Sequence, residues 1–155
     1  MLCCLNPDCQ KPQNPDGAKF CQNCRTELVL LGGHYRVIQL LSDEGGFGRT
    51  YLAEDEQKLN ELCVVKQLVP QLQETSSIGK AVALFGEEAK RLQQLGEHLQ
   101  IPTLYAYFSQ DNYFYLVQQY IEGQNLSQEL RQKGALSERQ IMELLLDILP
   151  VLKFI

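Results

Sequence analysis

The sequence predicts an α+β protein in which a small cysteine-rich module precedes an antiparallel sheet with helices. Five of the six cysteines lie within the first 24 residues, a segment with almost no apolar residues for a core. Alternating and β-branched strand patterns begin only at Tyr35, and helical spacing follows them. We therefore expect a module over residues 1–27, a linker over residues 28–33 and a larger domain over residues 34–155.

The charge balance argues against two classes of partner. The chain carries 14 Lys and Arg residues against 19 Asp and Glu residues, which gives a net charge of −5. Such an acidic chain lacks the basic surface that binds nucleic acid or an acidic membrane. No apolar run reaches the ~18 residues of a membrane span, and the N-terminus lacks the pattern of a secretory signal. We therefore expect a cytoplasmic protein without a membrane span.

Four cysteines are spaced as the ligands of a metal ion. Four residues separate Cys4 from Cys9, eleven separate Cys9 from Cys21, and two separate Cys21 from Cys24. Two thiolate pairs on short turns can close a tetrahedron around Zn²⁺, and such a four-ligand site holds a fold without performing chemistry. Cys3 is a spare candidate ligand. The alternatives are a disulfide pair or free thiols on an unstructured tail, and a cytoplasmic location favours zinc.

The larger domain begins with strands and ends with helices. In its first helix, five residues at helical spacing are expected on one face, namely Leu84, Phe85, Glu88, Leu92 and Leu95. The last helix begins after Ser137, and Gln140 three residues later completes a capping box. The expected elements are the strands YRVIQLL, RTYLAED and ELCVVKQL, a helix over residues 80–95, strands at 104–108 and 113–119, and helices at 126–133 and 138–154.

A glycine-rich turn connects the first two strands of this domain. Gly45, Gly46 and Gly48 allow the backbone to approach an anion closely. A dinucleotide-binding fold would place a helix after the glycines, whereas this sequence continues as a strand. A Walker loop would end in Gly-Lys-Ser or Gly-Lys-Thr, which is absent. The remaining interpretations are a hairpin that covers nucleotide phosphates and an ordinary glycine hairpin.

A lysine and a glutamate follow at positions that face inward. Lys66 shares one face of its strand with Leu62 and Val64, and Glu88 shares the apolar face of the next helix. Because an unpaired buried charge is costly, each group requires a partner of opposite sign. A Lys66–Glu88 pair would satisfy both and direct the ammonium at the α- and β-phosphates of a nucleotide. The alternative is that both are solvated surface charges.

Together these residues resemble the N-terminal lobe of a bacterial eukaryotic-type serine/threonine protein kinase. The resemblance is greatest to the cyanobacterial kinases that carry a four-cysteine prefix, and it covers nearly the whole chain. The segments that carry it are CLNPDCQKPQNPDGAKFCQNC, YRVIQLL with GGFGRTYLAED, CVVKQL, EEAKRLQQLGEH and YLVQQYIEGQNL.

The resemblance implies an enzyme that moves the γ-phosphate of ATP to a protein hydroxyl with the help of Mg²⁺. It implies that Gly45, Gly46 and Gly48 cover the phosphates, and that Lys66 and Glu88 position them. The fold that it implies is a kinase N-lobe with the first helices of the C-lobe, preceded by a zinc-ribbon-like module.

The resemblance also assigns residues to the adenine and ribose subsites. Gln118 matches the gatekeeper position, and Asn125 falls where a side chain often reaches the ribose. The backbone of the hinge, which would hydrogen-bond adenine, matches Gln119, Tyr120 and Ile121. Three apolar residues match either core or adenine-pocket positions, namely Val37, Val64 and Leu116.

The sequence departs from the family pattern in three places. Ser42, Asp43 and Glu44 occupy the region of the missing first glycine with one residue more than usual, and their acidity predicts weak nucleotide affinity. Gln119 replaces an acidic hinge residue. The 155 residues contain no His-Arg-Asp and no Asp-Phe-Gly, groups that phosphoryl transfer requires. We therefore expect a truncated domain, and we expect the isolated chain to be catalytically inactive.

Two other functions remain open at this stage. The first is a non-catalytic adaptor that docks a partner protein through its zinc module and the apolar surface of its last helix. The second is nucleic-acid binding by the module, which few side chains support. Its basic and aromatic residues before Thr26 are Lys11, Lys19, Arg25 and Phe20.

Overall fold

The computed structural model of the chain describes residues 1–45, 48–69, 75–96 and 98–155. It contains a two-stranded sheet at the N-terminus and a five-stranded antiparallel sheet with strand order β3-β4-β5-β7-β6. The strands are β1 (Leu2–Cys3), β2 (Gln13–Asn14), β3 (Tyr35–Gly45), β4 (Gly48–Asp55), β5 (Glu61–Leu68), β6 (Leu104–Gln110) and β7 (Tyr113–Gln119). The α-helices are α1 (Thr75–Leu95), α2 (Leu126–Lys133) and α3 (Glu138–Phe154), and a short 3-10 helix spans Glu56–Lys58.

This architecture confirms the α+β fold class predicted from the sequence, with a kinase-type antiparallel sheet and helices after a cysteine cluster. β7, α2 and α3 have the predicted bounds, whereas α1 begins at Thr75, five residues before the expected start. The expected capping box is also present, since the Ser137 hydroxyl accepts from the Gln140 backbone N–H while the Gln140 side chain accepts from the Ser137 N–H.

The five-stranded sheet is covered on both faces. In β5, Cys63 and Val65 are buried on one face, and Lys66 lies on the other, as the alternation of side chains along a strand predicts. The first face forms the larger core together with the N-terminal segment, because Cys3 and Leu31 are buried within it. Leu31 belongs to the stretch predicted as a linker, and its fully buried side chain joins that stretch to the sheet.

Helix α1 covers the second face of the sheet. Phe85 and Ala89 are buried against Leu68 and Leu116. The expectation that Leu84 lies on this face is wrong, because 60% of Leu84 is exposed. Successive residues of an α-helix are about 100° apart, so Leu84 is rotated away from the stripe that contacts the sheet. The other helix residues packed on this core are Ala81, Val82 and Leu92.

The extra residues before the glycine turn are accommodated by irregular pairing of β3. The register between β3 and β4 shifts at three places, the last between Ser42 and Gly45. Between these two residues β3 has one residue more than the paired segment Gly48–Thr50. A β-bulge absorbs such an insertion by bending one strand while the ladder continues on either side.

The C-terminal helices expose a large apolar surface. α3 contains no buried residue, in spite of the many leucines in its sequence. Its exposed apolar residues are Ile141, Met142, Leu145, Leu146, Leu149, Leu152 and Phe154. Within the described ranges, no helix combines the length and hydropathy needed to span a membrane.

Gly48 is a position where the fold requires glycine, and Gly48→Ala tests this. Its φ angle is +147°, and a Cβ would lie 1.8 Å from the Gln67 carbonyl oxygen of β5. Backbone strain of this kind costs about 1–3 kcal/mol, so we expect the substitution to lower the free energy of unfolding by at least this amount. Urea denaturation followed by circular dichroism measures the change.

Gly79→Ala is the matched control for this substitution. Gly79 lies in α1, and a Cβ there would meet no atom within 4 Å. Alanine favours a helix over glycine by about 1 kcal/mol, so the control should leave the protein unchanged or slightly more stable. Equal effects of the two substitutions would contradict the close contact between β4 and β5.

Candidate functional site

The four predicted cysteine ligands converge in the N-terminal module. The sulfur atoms of Cys4, Cys9, Cys21 and Cys24 all lie within 4.8 Å of one another. The Sγ–Sγ distance is 3.5 Å between Cys4 and Cys24 and 3.7 Å between Cys9 and Cys21. A disulfide requires about 2.0 Å, whereas a tetrahedral zinc site with Zn–S bonds of about 2.3 Å separates its sulfurs by about 3.8 Å. The cluster therefore fits a metal ion better than a disulfide pair.

Cys3 does not join this cluster. Its side chain is buried in the larger core of the sheet, between the module and β3. Burial also raises the pKa of its thiol to about 11, against the nearby positive charge of Arg49, which lowers it. A protonated thiol in an apolar core is a packing group, so the structure separates Cys3 from the four clustered sulfurs.

Each of the four sulfurs has a polar neighbour that sequence reasoning did not identify. The Asn6 backbone N–H lies 3.5 Å from the Cys4 sulfur, and the Asn14 side-chain amide lies 3.6 Å from that of Cys21. The Asn23 amide lies 3.4 Å from the Cys9 sulfur, and the Thr26 hydroxyl oxygen lies 3.2 Å from that of Cys24. Hydrogen-bond donors around thiolates orient and stabilise metal ligands.

The environment of the second cysteine pair favours the thiolate form. The Thr26 hydroxyl, followed by the Thr26 backbone N–H, lowers the pKa of Cys24 to about 6. Burial would raise the pKa of Cys21, but hydrogen bonds from the Cys24 and Asn23 backbone N–H groups and from the Asn14 amide outweigh it, and the net shift is downward. Burial raises the pKa of Cys4, which is fully buried.

On the opposite face of the sheet, Lys66 and Glu88 form the predicted ion pair. The Lys66 Nζ donates a hydrogen bond to the Glu88 Oε1 at 2.5 Å. Their side chains retain 33% and 41% of their exposure, so the pair is half-buried. The ammonium therefore has a fixed anionic partner and also faces open space, as a group that meets a negatively charged ligand requires.

A cleft of about 250 Å³ opens beside this ion pair. Its lining comes from β4, β5 and α1, namely Gly48, Arg49, Thr50, Lys66, Gln67, Phe85 and Glu88. The antiparallel pairing places Thr50 directly opposite Lys66. Thr50 and Phe85 were not singled out from the sequence as site residues, and the alternation of β4 could have indicated Thr50. The cleft thus joins the end of the glycine hairpin to a lysine held by a carboxylate.

The glycine hairpin is described on both sides of its tip. Gly45 ends β3 and pairs with Gly48, which begins β4. Gly46 lies outside the described residues. Gly48 therefore lines the cleft, and Gly45 is its partner in the neighbouring strand.

The residues assigned to the adenine and ribose subsites lie at the end of β7 and in the segment after it. Gln118 and Gln119 end this strand, and the Gln119 backbone N–H donates to the Thr103 carbonyl at 2.9 Å. Ile121 is exposed in the extended segment that follows. Asn125 is the N-cap of α2, and its side-chain oxygen accepts from the Gln128 backbone N–H at 2.8 Å. The structure therefore gives Asn125 a capping contact that the sequence assignment did not include.

The remaining assigned positions divide between the two faces of the sheet. Val37 is buried in the larger core on the face covered by the N-terminal segment. Leu116 is buried against α1, and Val64 is half-buried on the same side of β5 as Lys66. Val37 therefore has core contacts, whereas Val64 and Leu116 lie on the side of the cleft.

Cys24 is expected to react first with iodoacetamide at pH 7 in protein that a chelator has freed of metal. Its sulfur is half-exposed and its pKa of about 6 makes it a thiolate, whereas Cys3 and Cys63 are buried with raised pKa values. Because protonation converts the thiolate to the less reactive thiol, the reaction should slow as the pH falls through about 6. Peptide mapping after timed alkylation measures the order, and prior modification of Cys3 would contradict the described burial.

Comparisons with known proteins agree with this arrangement. A model of the family described as Protein kinase domain matches residues 35–155. Serine/threonine-protein kinase B of Synechocystis sp. is 42% identical over 156 residues, covering 100% of this chain and 27% of that protein. Serine/threonine-protein kinase PknA of Nostoc sp. is 45% identical over 128 residues, covering 81% of this chain and 22% of that protein. Serine/threonine-protein kinase C of Synechocystis sp. is 48% identical over 132 residues, covering 84% of this chain and 24% of that protein.

These matches confirm the resemblance that the sequence motifs indicated. The chain spans about a quarter of the length of the curated relatives it matches. The family match covers the whole five-stranded sheet and the three helices, and it includes the Lys66–Glu88 ion pair. The chain therefore belongs to the protein kinase domain family, and cyanobacterial serine/threonine-protein kinases are among its relatives.

Proposed function

We propose that this chain is the ATP-binding part of a kinase that phosphorylates serine or threonine hydroxyls of proteins. The observation that carries the proposal is the Lys66–Glu88 ion pair beside the cleft that begins at Gly48. ATP with Mg²⁺ would supply the phosphoryl group, and the family implies both. The cleft residues fit a phosphate chain because a cationic side chain and a glycine backbone face the same open space.

Lys66 and Glu88 have different roles in this proposal. Lys66 binds the α- and β-phosphates through its ammonium, and Glu88 holds that ammonium in place from α1. A half-exposed ion pair contributes only about 0–1 kcal/mol to stability, so its value to the protein lies in positioning. Gly45, Gly46 and Gly48 would cover the phosphates with their backbone, because glycine leaves room for close approach.

The nucleoside would occupy the segment after β7. The backbone of Gln119, Tyr120 and Ile121 would hydrogen-bond the adenine, and Gln118 would border its pocket. Asn125 would contact the ribose while also capping α2. Val64 and Leu116 supply apolar surface on this side of the sheet.

Lys66→Met and Glu88→Gln are expected to weaken the binding of Mg·ATP by at least tenfold. Each substitution removes one charge of the positioned pair, and a tenfold loss corresponds to about 1.4 kcal/mol. Titration calorimetry, or the nucleotide-dependent shift of the unfolding midpoint, measures the loss.

A second ion pair on the same helix provides the matched control. Lys90 and Glu87 form a solvent-exposed contact at 3.1 Å in α1. Lys90→Met and Glu87→Gln remove the same charges without touching the cleft, so they should leave nucleotide affinity within about twofold. Equal losses at both pairs would refute a specific role for Lys66 and Glu88.

We further propose that residues 1–27 form a structural Zn²⁺ module joined through residues 28–33 to the kinase domain. Four clustered sulfurs with neighbouring hydrogen-bond donors support it, since thiolates in this arrangement suit zinc. With four protein ligands the ion would have no open position for substrate. Its binding energy would stabilise a module that has little apolar core of its own.

Native mass spectrometry is expected to detect one Zn²⁺ per chain. Substitution of clustered cysteines should remove this ion, whereas substitution of core cysteines should not. Cys9→Ser and Cys21→Ser should abolish the bound metal, because both sulfurs belong to the cluster. Cys3→Ala and Cys63→Ala should retain it, because both side chains are buried in the sheet core. Loss of the metal from Cys3→Ala would place Cys3 in the ligand set.

A second candidate function is docking of a partner protein without catalysis. The exposed apolar face of α3 favours it. Under either candidate function, we expect that the purified 155-residue chain does not transfer phosphate from radiolabelled ATP to a general acceptor protein. Transfer that Lys66→Met abolishes would refute this expectation. Binding of Mg·ATP at Lys66 favours the kinase candidate, and its absence favours docking.

A further inference from the structure

Two polar side chains connect the cysteine module to the strands that carry the nucleotide site. Arg49 on β4 pairs directly with Gln67 on β5, and the next pair along the ladder is Thr50 with Lys66. All four residues line the cleft, but side chains alternate across a sheet, so those of Arg49 and Gln67 reach the module. Arg49 also follows Gly48 in the chain, and Gln67 follows Lys66. Both connecting residues are thus one residue away from a proposed phosphate-binding group.

The Arg49 side chain hydrogen-bonds to backbone carbonyls in the first turn of the cysteine cluster. Its Nη1 donates to the Asn6 carbonyl at 3.1 Å, and its Nη2 donates to the Cys9 carbonyl at 3.2 Å. Both acceptors lie in the turn that carries Cys4 and Cys9, which the Cys9 N–H closes on the Asn6 carbonyl at 3.0 Å. The planar guanidinium binds two acceptors in a fixed geometry, which a flexible ammonium does not reproduce.

Gln67 forms the second connection, and it is buried. Only 2% of the residue is exposed, and its Nε2 donates to the Leu5 carbonyl at 2.9 Å, within the same cysteine turn. The Nε2 is also 3.2 Å from the Tyr115 hydroxyl, and its Oε1 accepts from the Tyr51 hydroxyl at 3.0 Å. A buried amide with these partners transmits displacement of the turn to β4, β5 and β7.

We propose that Arg49 and Gln67 are positioning residues that couple the metal state of the cysteine module to the nucleotide cleft. A metal ion fixes the turn between Cys4 and Cys9, and the carbonyls of this turn fix Arg49 and Gln67. These residues hold β4 and β5 in the register that places Gly48 opposite Leu68 and Thr50 opposite Lys66. Binding at either site therefore strengthens binding at the other by the same factor, as thermodynamic linkage requires.

The contact between Gly48 and Gln67 makes the cleft sensitive to this connection. A Cβ on Gly48 would lie 1.8 Å from the Gln67 carbonyl, so the hairpin rests on the backbone of β5 at this point. Movement of Gln67 therefore displaces the strand on which the glycine hairpin depends. Lys66, its neighbour, moves with the same segment of backbone.

Zinc affinity measured with and without nucleotide tests the coupling. The probes are Zn²⁺, in competition with a chromogenic chelator, and saturating Mg·ATP. For the wild-type chain we expect Mg·ATP to tighten zinc binding by about fivefold or more, within the usual range of coupling between sites. Zinc should tighten ATP binding by an equal factor. A factor of one, with both ligands bound, would overturn the proposal.

Arg49→Lys separates positioning from simple support of the fold. The lysine keeps the charge but loses the two-point contact, so both ligands should still bind while the coupling factor falls towards one. Arg139→Lys is the matched control, because Arg139 lies on α3 in an exposed pair with Glu143. An unchanged factor in Arg49→Lys, or an equal fall in Arg139→Lys, would refute the role of Arg49.

The nucleotide half of this inference rests on the proposed function. Hydrogen exchange distinguishes failure of that function from failure of the connection between the module and the strands. If direct titration detects no ATP binding, the proposed function fails. The hydrogen-exchange protection of the β4 and β5 backbone amides then still shows whether zinc in the module affects these strands. Removing zinc should then lower their protection in wild type and have less effect in Arg49→Lys. Protection that does not respond to zinc in wild type would overturn the connection itself.

Discussion

The antiparallel pairing of β4 with β5 determines where both candidate sites lie. One register places Thr50 and Lys66 towards α1, and it places Arg49 and Gln67 towards the cysteine module. A slip of one residue would exchange the two faces and direct Lys66 into the apolar core. Burial of Cys63 and Val65 on the module side and of Leu68 on the helix side opposes such a slip. The positions of the two sites are thus linked by the alternation of a single pair of strands.

The Lys66–Glu88 ion pair is better explained by ligand binding than by stability. Both side chains are half-exposed, and ion pairs of this kind contribute little to folding. The packing of α1 does not require the pair, because Phe85 and Ala89 already bury the helix against Leu68 and Leu116. The glutamate instead fixes an ammonium at the edge of a cleft, where a second negative charge can approach it.

The cysteine module shares a core with the kinase domain. Cys3 and Leu31 are buried with residues of the sheet, and Leu5 packs against them. The sheet thus buries the few apolar side chains of the N-terminal segment, and the proposed metal ion would organise its interior. The segment has too few apolar residues to fold through a core of its own.

Local patterns in the sequence predicted most of the elements, the four-cysteine cluster and the Lys66–Glu88 ion pair. Strand alternation and helical spacing are local, and so are the cysteine spacing, the Ser137 cap and the position of Lys66 in its strand. Contacts between distant segments were not predictable in this way. Periodicity did not indicate that Leu84 faces solvent, that Cys3 packs in the core, or that Asn14 and Asn23 approach the sulfurs. The connection from the cysteine turn to Arg49 spans about 40 residues of chain, and only the packed tertiary structure brings its partners together.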